Sequence, residues 1–175
     1  MVVALIGGGS RSGKSRFALD YAERRFTRPA FVATAQALDG EMRARIAKHQ
    51  AERGARWSTI EEPLAIGAVM RENAGRFDGF VVDCLTLWLS NVLLAEPEVP
   101  AAACDSAGER MLDELVSGPP CVLVTNEVGC GVVPENALAR RFRDLAGTLN
   151  QRTAAVAEEV YWMAFGIPMT VKARK

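Results

Sequence analysis

Residues 7 to 15 read GGGSRSGKS and follow the apolar run MVVALI. From Gly8 to Ser15 the order is G-x-x-x-x-G-K-S, the spacing of a phosphate-binding P-loop. Such a loop works only where a buried strand delivers it and a helix leaves it. The motif therefore commits this end of the chain to a strand–loop–helix unit. Glycines at Gly8, Gly9 and Gly13 permit backbone angles that other residues avoid. They let main-chain N–H groups across Gly8, Gly9, Ser10, Arg11, Ser12, Gly13, Lys14 and Ser15 turn toward one anion. A helix from Lys14 to Arg25 presents its positive end to the same anion. On this reading Lys14 reaches the β- and γ-phosphates, and the Ser15 hydroxyl ligates a magnesium ion. The alternative is a glycine-rich turn that binds nothing, which would not require this order of elements.

A chain of 175 residues, nearly half of them apolar, is expected to form one domain over residues 1–175 with a sizeable core. Lysines and arginines number 21, as do aspartates and glutamates. The balance leaves no basic tract for a nucleic-acid backbone or an anionic membrane, so neither is expected as a partner. No apolar run approaches membrane-spanning length, and no secretory signal is read at the start. Cys84, Cys104, Cys121 and Cys130 show no CxxC spacing, and His49 is the only histidine. A zinc site is not expected; buried free thiols in a reducing cytoplasm are.

Strand-like runs alternate with helical ones. Strands are expected at Val2–Ile6, Ala30–Thr34, Gly79–Val82, Cys121–Thr125, Val160–Ala164 and Met169–Lys172. Helices are expected at Lys14–Arg25, Glu41–Arg53, Pro63–Asn73, Leu85–Leu94, Ala107–Val116 and Glu135–Glu158. This alternation predicts an α/β fold, P-loop NTPase-like, with a mostly parallel sheet and helices on both faces. The last run follows GIP closely, and a tight turn cannot join parallel neighbours, so an antiparallel edge strand is expected there. Residues 95 to 103, AEPEVPAAA, read as a loop.

Three further segments carry chemistry. GFVVDC brings Asp83 to the C-terminal end of a strand, the edge where ligands collect in open α/β sheets. A carboxylate there suits magnesium opposite Ser15, or else it caps the helix that follows. In DGEMRARIAKHQAER, residues 39 to 53, helical spacing puts Glu41, Arg45, His49 and Arg53 on one face. That face is either a solvated, salt-bridged surface or a histidine nucleophile flanked by cations that attract phosphate. In VTNEVGCGVVPE, a strand ends in Asn126 and Glu127 and feeds a glycine-containing loop. The loop either moves over a substrate or simply leads to a helix with Pro134 near its first turn. Arg140, Arg141, Arg143 and Asp144 of that helix read most simply as a solvated face, with a phosphate or subunit contact as the alternative.

Together these segments resemble the bifunctional adenosylcobinamide kinase/adenosylcobinamide-phosphate guanylyltransferase family of cobalamin biosynthesis. The resemblance is carried by GGGSRSGKS, ATAQALDGEMRARIAKHQAERGARWSTIEEP, VVDCLTLWLSN, VLVTNEVGCGVVPENALARRFRDLAGTLNQ and GIPMTVK, and is weakest over residues 95 to 118. It implies phosphorylation of the aminopropanol hydroxyl of adenosylcobinamide with ATP or GTP. Transfer of GMP from GTP follows, through a covalent phosphoramidate on a histidine. That histidine matches His49. The resemblance also implies that Ala33, Thr34, Ala35, Gln50, Ala51, Glu52, Arg53 and Glu61 help bind the guanine nucleotide. It places Mg2+ at Ser15 and Asp83, and it implies a homotrimer. Glu127 and Asp83 both remain open as the base of the kinase step. A P-loop kinase without guanylyl transfer and a nucleotide-dependent regulatory module are the competing readings. Both leave the longer matched segments unexplained.

Overall fold

A computed structural model describes residues 1–37, 39–54, 56–95 and 101–173. In chain order the elements are β1 (Val2–Gly8), α1 (Lys14–Arg25), β2 (Pro29–Ala33), α2 (Gly40–Arg53), β3 (Ser58–Glu61), α3 (Ile66–Glu72) and β4 (Gly79–Asp83). They continue as α4 (Leu85–Ala95), α5 (Ala101–Ser117), β5 (Cys121–Val124), α6 (Ala137–Val156), β6 (Glu159–Ala164) and β7 (Ile167–Lys172).

The strands form one seven-stranded sheet in the order β3-β2-β4-β5-β1-β6-β7. Every pairing is parallel except β6 with β7, which is antiparallel as the short connection through Phe165 and Gly166 requires. The central strands are buried on both faces, which is why they read as unbroken apolar runs. In β5, Cys121 and Leu123 enter one core while Val122 and Val124 enter the other. The larger core lies under α3, α4, α5 and α6 and includes Phe80, Trp88, Leu115 and Leu149. The smaller lies under α1, where Ala18 and Ala22 meet Ile6, Val81, Val122 and Val124. Helices therefore cover both faces.

Several elements differ from the sequence reading, most ends by a residue or two. β3 was not expected. It is a four-residue edge strand with alternating exposure, held by its pairing with β2. α3 starts at Ile66 rather than Pro63, because the Glu62 carboxylate accepts the N–H groups of Leu64 and Ala65 and makes a turn first. α5 starts at Ala101, so residues 101 to 103 are helical rather than loop; residues 96 to 100 lie outside the described set. α6 starts at Ala137, because Asn136 caps it through a bond from the Ala139 N–H at 3.0 Å; Pro134 precedes the helix. Of the cysteines, Cys84, Cys104 and Cys121 are buried and free, but Cys130 is exposed.

Candidate active site at the strand ends

The phosphate loop spans the end of β1 and the start of α1. Gly8 has φ 148°, and a Cβ there would lie 2.7 Å from the Met163 carbonyl oxygen. β6 passes so close that only glycine fits. Gly13, at φ 92°, is the left-handed residue before α1, and no side chain caps that helix. The N–H groups of its first turn are left to a ligand. Arg11, at φ 56°, adopts a backbone that costs an L-residue about 1–2 kcal/mol. The tip of the β6–β7 hairpin closes on the loop, with the Gly166 N–H donating to the Ser12 carbonyl at 3.2 Å. Lys14 is buried, and its Nζ donates to the Gly9 carbonyl at 2.5 Å with the Ser12 Oγ at 3.5 Å.

Ladder register sets Glu61, Ala33, Asp83, Val124 and Ile6 in one row across β3, β2, β4, β5 and β1. The phosphate loop leaves β1 just beyond that row. Asp83 is half-buried, and its carboxylate has no hydrogen-bonding partner among the described residues. The helix-cap reading of Asp83 finds no bond to the α4 amides. An unpartnered, half-buried carboxylate on the phosphate-loop edge fits a hard cation or the waters around one, and the Ser15 hydroxyl supplies a second oxygen of the right kind. Such an ion takes only one or two protein oxygens when phosphates provide the rest. Among the described residues no group of three or more histidine, cysteine or acidic side chains could hold a metal.

A buried polar seam locks this edge. The Thr34 hydroxyl donates to the Cys84 carbonyl at 2.8 Å and accepts the Cys84 N–H at 2.7 Å. The Asn91 amide on α4 donates to the carbonyls of Thr34 at 2.8 Å and Pro63 at 3.1 Å. The Asn126 amide donates to Thr86 Oγ1 at 2.7 Å. Thr34 thus turns its hydroxyl into the seam and holds β2 against β4. On the opposite face of the sheet, the Arg53 guanidinium lies 3.9 Å from the centre of the Phe31 ring and donates to Thr59 Oγ1 at 3.2 Å. Its Nε is buried without a partner among the described residues. Burial lowers the Arg53 pKa from its ordinary value, and the charge of Asp83 opposes that shift. The Gln50 amide donates to Glu61 Oε1 at 3.4 Å.

The segment after β5 is tied to its surroundings at several points. The Glu127 N–H donates to the Gly8 carbonyl at 3.1 Å. Glu127 Oε1 accepts the Gly129 N–H at 2.5 Å, and Arg143 on α6 donates to the Gly129 carbonyl at 2.7 Å. Arg140 donates to the carbonyls of Pro134 and Glu135, and Arg141 reaches Cys104 Sγ at 3.3 Å. Arg140 and Asp144 are exposed, as the sequence suggested, whereas Arg141 and Arg143 are half-buried and pin helix and loop.

The fold thus gathers the residues from Gly8 to Ser15 with Ala33, Thr34, Gln50, Arg53, Glu61 and Asp83 along one edge. Ala35 follows β2 half-buried, and Ala51 is exposed on α2. His49 lies on α2, but its side chain, like those of Glu41, Arg45, Lys48 and Glu52, lies outside the described set. Sequence reasoning missed Asn91, Thr86, Gly166 and the role of Arg143. Asn91 carried a signal, being an amide within the apolar run LTLWLSNVLL, where a buried polar group needs partners. A groove of about 240 Å³ between α3, α4 and α5, lined by Leu64, Ile66, Trp88 and Met111 among others, includes none of the expected site residues.

Residues 4–171 match the family model described as cobinamide kinase / cobinamide phosphate guanyltransferase. The bifunctional adenosylcobalamin biosynthesis protein CobP of Pseudomonas aeruginosa is 46% identical over 169 residues, covering 96% of each chain. The bifunctional adenosylcobalamin biosynthesis protein CobU of Salmonella typhimurium is 38% identical over 182 residues, covering 98% of this chain and all of that one. The solved structure of the RadB recombinase overlaps 92% of this chain and 73% of its own with a TM-score of 0.49 at 16% identity.

Proposed function

The chain belongs to the cobinamide kinase / cobinamide phosphate guanyltransferase family, and from that premise we propose that it phosphorylates adenosylcobinamide with ATP or GTP and then joins GMP from GTP to the product. The observation that carries this reading is the uncapped start of α1, with Lys14 over its loop and the unpartnered Asp83 carboxylate on the same sheet edge. One surface then serves the triphosphate in both reactions.

In the first reaction the loop amides and Lys14 hold the triphosphate, and the substrate hydroxyl attacks the γ-phosphorus. Ser15 and Asp83 would hold Mg2+, which when bound supplies charge neutralisation to the phosphate oxygens. In the second, the neutral imidazole of His49 attacks the α-phosphorus of GTP and pyrophosphate leaves. A phosphate oxygen of adenosylcobinamide phosphate then attacks the histidine-bound phosphorus, giving adenosylcobinamide-GDP and free imidazole. Position 49 stands one turn before Arg53 on the same face of α2, and Arg53 lies in the field of Asp83. Gln50 meets Glu61 on β3, whose carboxylate could accept the N1–H and amino donors of guanine, a pattern adenine lacks.

Assembly as a homotrimer in the cytoplasm is part of the same proposal. β7 is exposed along its whole length, and Phe165, Ile167, Met169 and Val171 present an apolar open edge. No helix of the described residues is long and apolar enough to cross a membrane.

Incubation with GTP labelled at the α-phosphate tests the central step. An acid-labile, base-stable adduct should map to His49, and unlabelled adenosylcobinamide phosphate should discharge it. A protein that consumes adenosylcobinamide yet never takes up the label would leave only the kinase.

A further inference from the structure

We propose that Glu127 is the general base of the phosphorylation half-reaction, an inference that rests on the two-reaction reading above. The substrate hydroxyl must lose a proton as its oxygen attacks phosphorus. The oxygen lone pair forms the new bond to the γ-phosphorus. The bond to the β–γ bridging oxygen breaks, and its electrons leave with the nucleoside diphosphate. The proton passes to Glu127 and then to solvent.

Position selects Glu127 among the carboxylates at this edge. Asp39 accepts the Met42 N–H and caps α2. Glu62 is bound to the N–H groups of Leu64 and Ala65. Glu61 ends β3, which stands four strands from β1 in the sheet, about 19 Å at the usual spacing. It belongs with the base of the nucleotide rather than with the transferred phosphate. Asp83 is assigned to the cation. Glu127 follows β5, the neighbour of β1, and its own N–H is bonded to the first carbonyl of the phosphate loop. It therefore lies between the strand that carries Asp83 and the strand that carries the loop.

Its side chain is also prepared. Oε1 accepts the Gly129 N–H, while Oε2 has no partner among the described residues. A Cβ on Gly129 would fall 2.7 Å from Oε1, so any side chain there would push the carboxylate out of its present position. Arg143 fixes Gly129 from α6. One oxygen is anchored and the other is left as a proton acceptor, the arrangement a base requires.

Neither step of guanylyl transfer needs this group. Imidazole attacks with a lone pair it already has, and the second nucleophile is already an anionic phosphate oxygen. Glu127→Gln should therefore slow phosphorylation of adenosylcobinamide by about 100-fold or more. It should form the GMP adduct at the wild-type rate and discharge it normally onto supplied adenosylcobinamide phosphate. The adduct also reports that the variant is folded and binds GTP. Phosphorylation within threefold of wild type would overturn the assignment. So would an equal loss of phosphorylation and adduct, which would place Glu127 in nucleotide or cation handling. If Glu127→Gln does not fold, Glu127→Asp decides, because it keeps the carboxylate but retracts it by one methylene. Phosphorylation must then fall at least tenfold with the adduct unchanged. Wild-type protein that takes no label from GTP contradicts the two-reaction reading itself, and the phosphorylation assay alone still tests Glu127.

Discussion

The Thr34 hydroxyl and the Cys84 backbone exchange two hydrogen bonds, one in each direction, at 2.8 and 2.7 Å. Both groups are buried, and the exchange joins the residue after β2 to the residue after Asp83. Thr34→Val keeps the shape but leaves the buried Cys84 N–H unpaired and its carbonyl with the Trp88 N–H alone, a loss of about 1–3 kcal/mol. Urea unfolding should show it as a lower midpoint, while Thr34→Ser, which keeps the hydroxyl, should lie close to wild type. Equal midpoints for Val and Ser would show that the seam adds no stability.

Lys14→Ala should depress both activities by at least ~100-fold, since both reactions require the triphosphate charge to be held. Separate assays of phosphorylation and of GMP adduct formation check this. Retention of either one at near wild-type rate would show that the loop serves only the other.

Asp83→Asn keeps the size of the side chain and removes the charge that a hard cation prefers. Magnesium titration of activity should shift to higher concentration by tenfold or more, while the melting temperature stays near that of wild type. A collapse in melting temperature with an unchanged magnesium dependence would mean that Asp83 serves the fold and not the ion.

His49→Ala should abolish the covalent GMP adduct and guanylyl transfer yet leave phosphorylation of adenosylcobinamide measurable. The chain has no other histidine, so peptide mapping of the wild-type adduct is unambiguous. GMP recovered on Lys14 or Lys48, or full transferase activity in the variant, would return position 49 to the surface of α2.

Thiol reactivity should follow burial. Burial, reinforced by the charge of Asp83, pushes the Cys84 thiol up to about 11, and burial pushes Cys121 up to about 12. Both stay protonated at pH 8, and Cys104 is shielded as well. Native alkylation at that pH should add one label per chain, at Cys130. A second label mapped to Cys84 on folded protein would mean that the seam behind Asp83 opens readily.

What was legible in the sequence was local chemistry and two-sided burial. The phosphate loop announces itself because its glycines, lysine and serine act within eight residues. The inner strands show because both their faces need apolar residues. β3 was hidden because Ile60 is the one apolar residue in STIE, and its strand state comes from pairing with β2. The first turn of α5 was hidden because alanines close to two prolines resemble a loop as much as a helix. The seam was hidden for another reason: Thr34 meets Cys84 and Asn91 across 50 and 57 residues, and no spacing rule reaches that far. Arg141 and Arg143 of α6 read as solvent-facing because their acceptors are a thiol and a backbone carbonyl, which carry no sequence signature.

The bond between Gly166 and Ser12 orders events during synthesis. The phosphate loop precedes in the chain the strands that hold it, since β1 pairs only with β5, which begins at Cys121, and β6, which begins at Glu159. The turn that closes on the loop comes later still. A nascent chain thus carries the loop through the synthesis of every element from α1 to α5 before β5 can pair with β1. The phosphate loop gains its bond to Gly166 only when the β6–β7 turn emerges. Removing Gly166 and β7 would take away a strand far from the loop in sequence and, with it, the backbone bond that closes on Ser12.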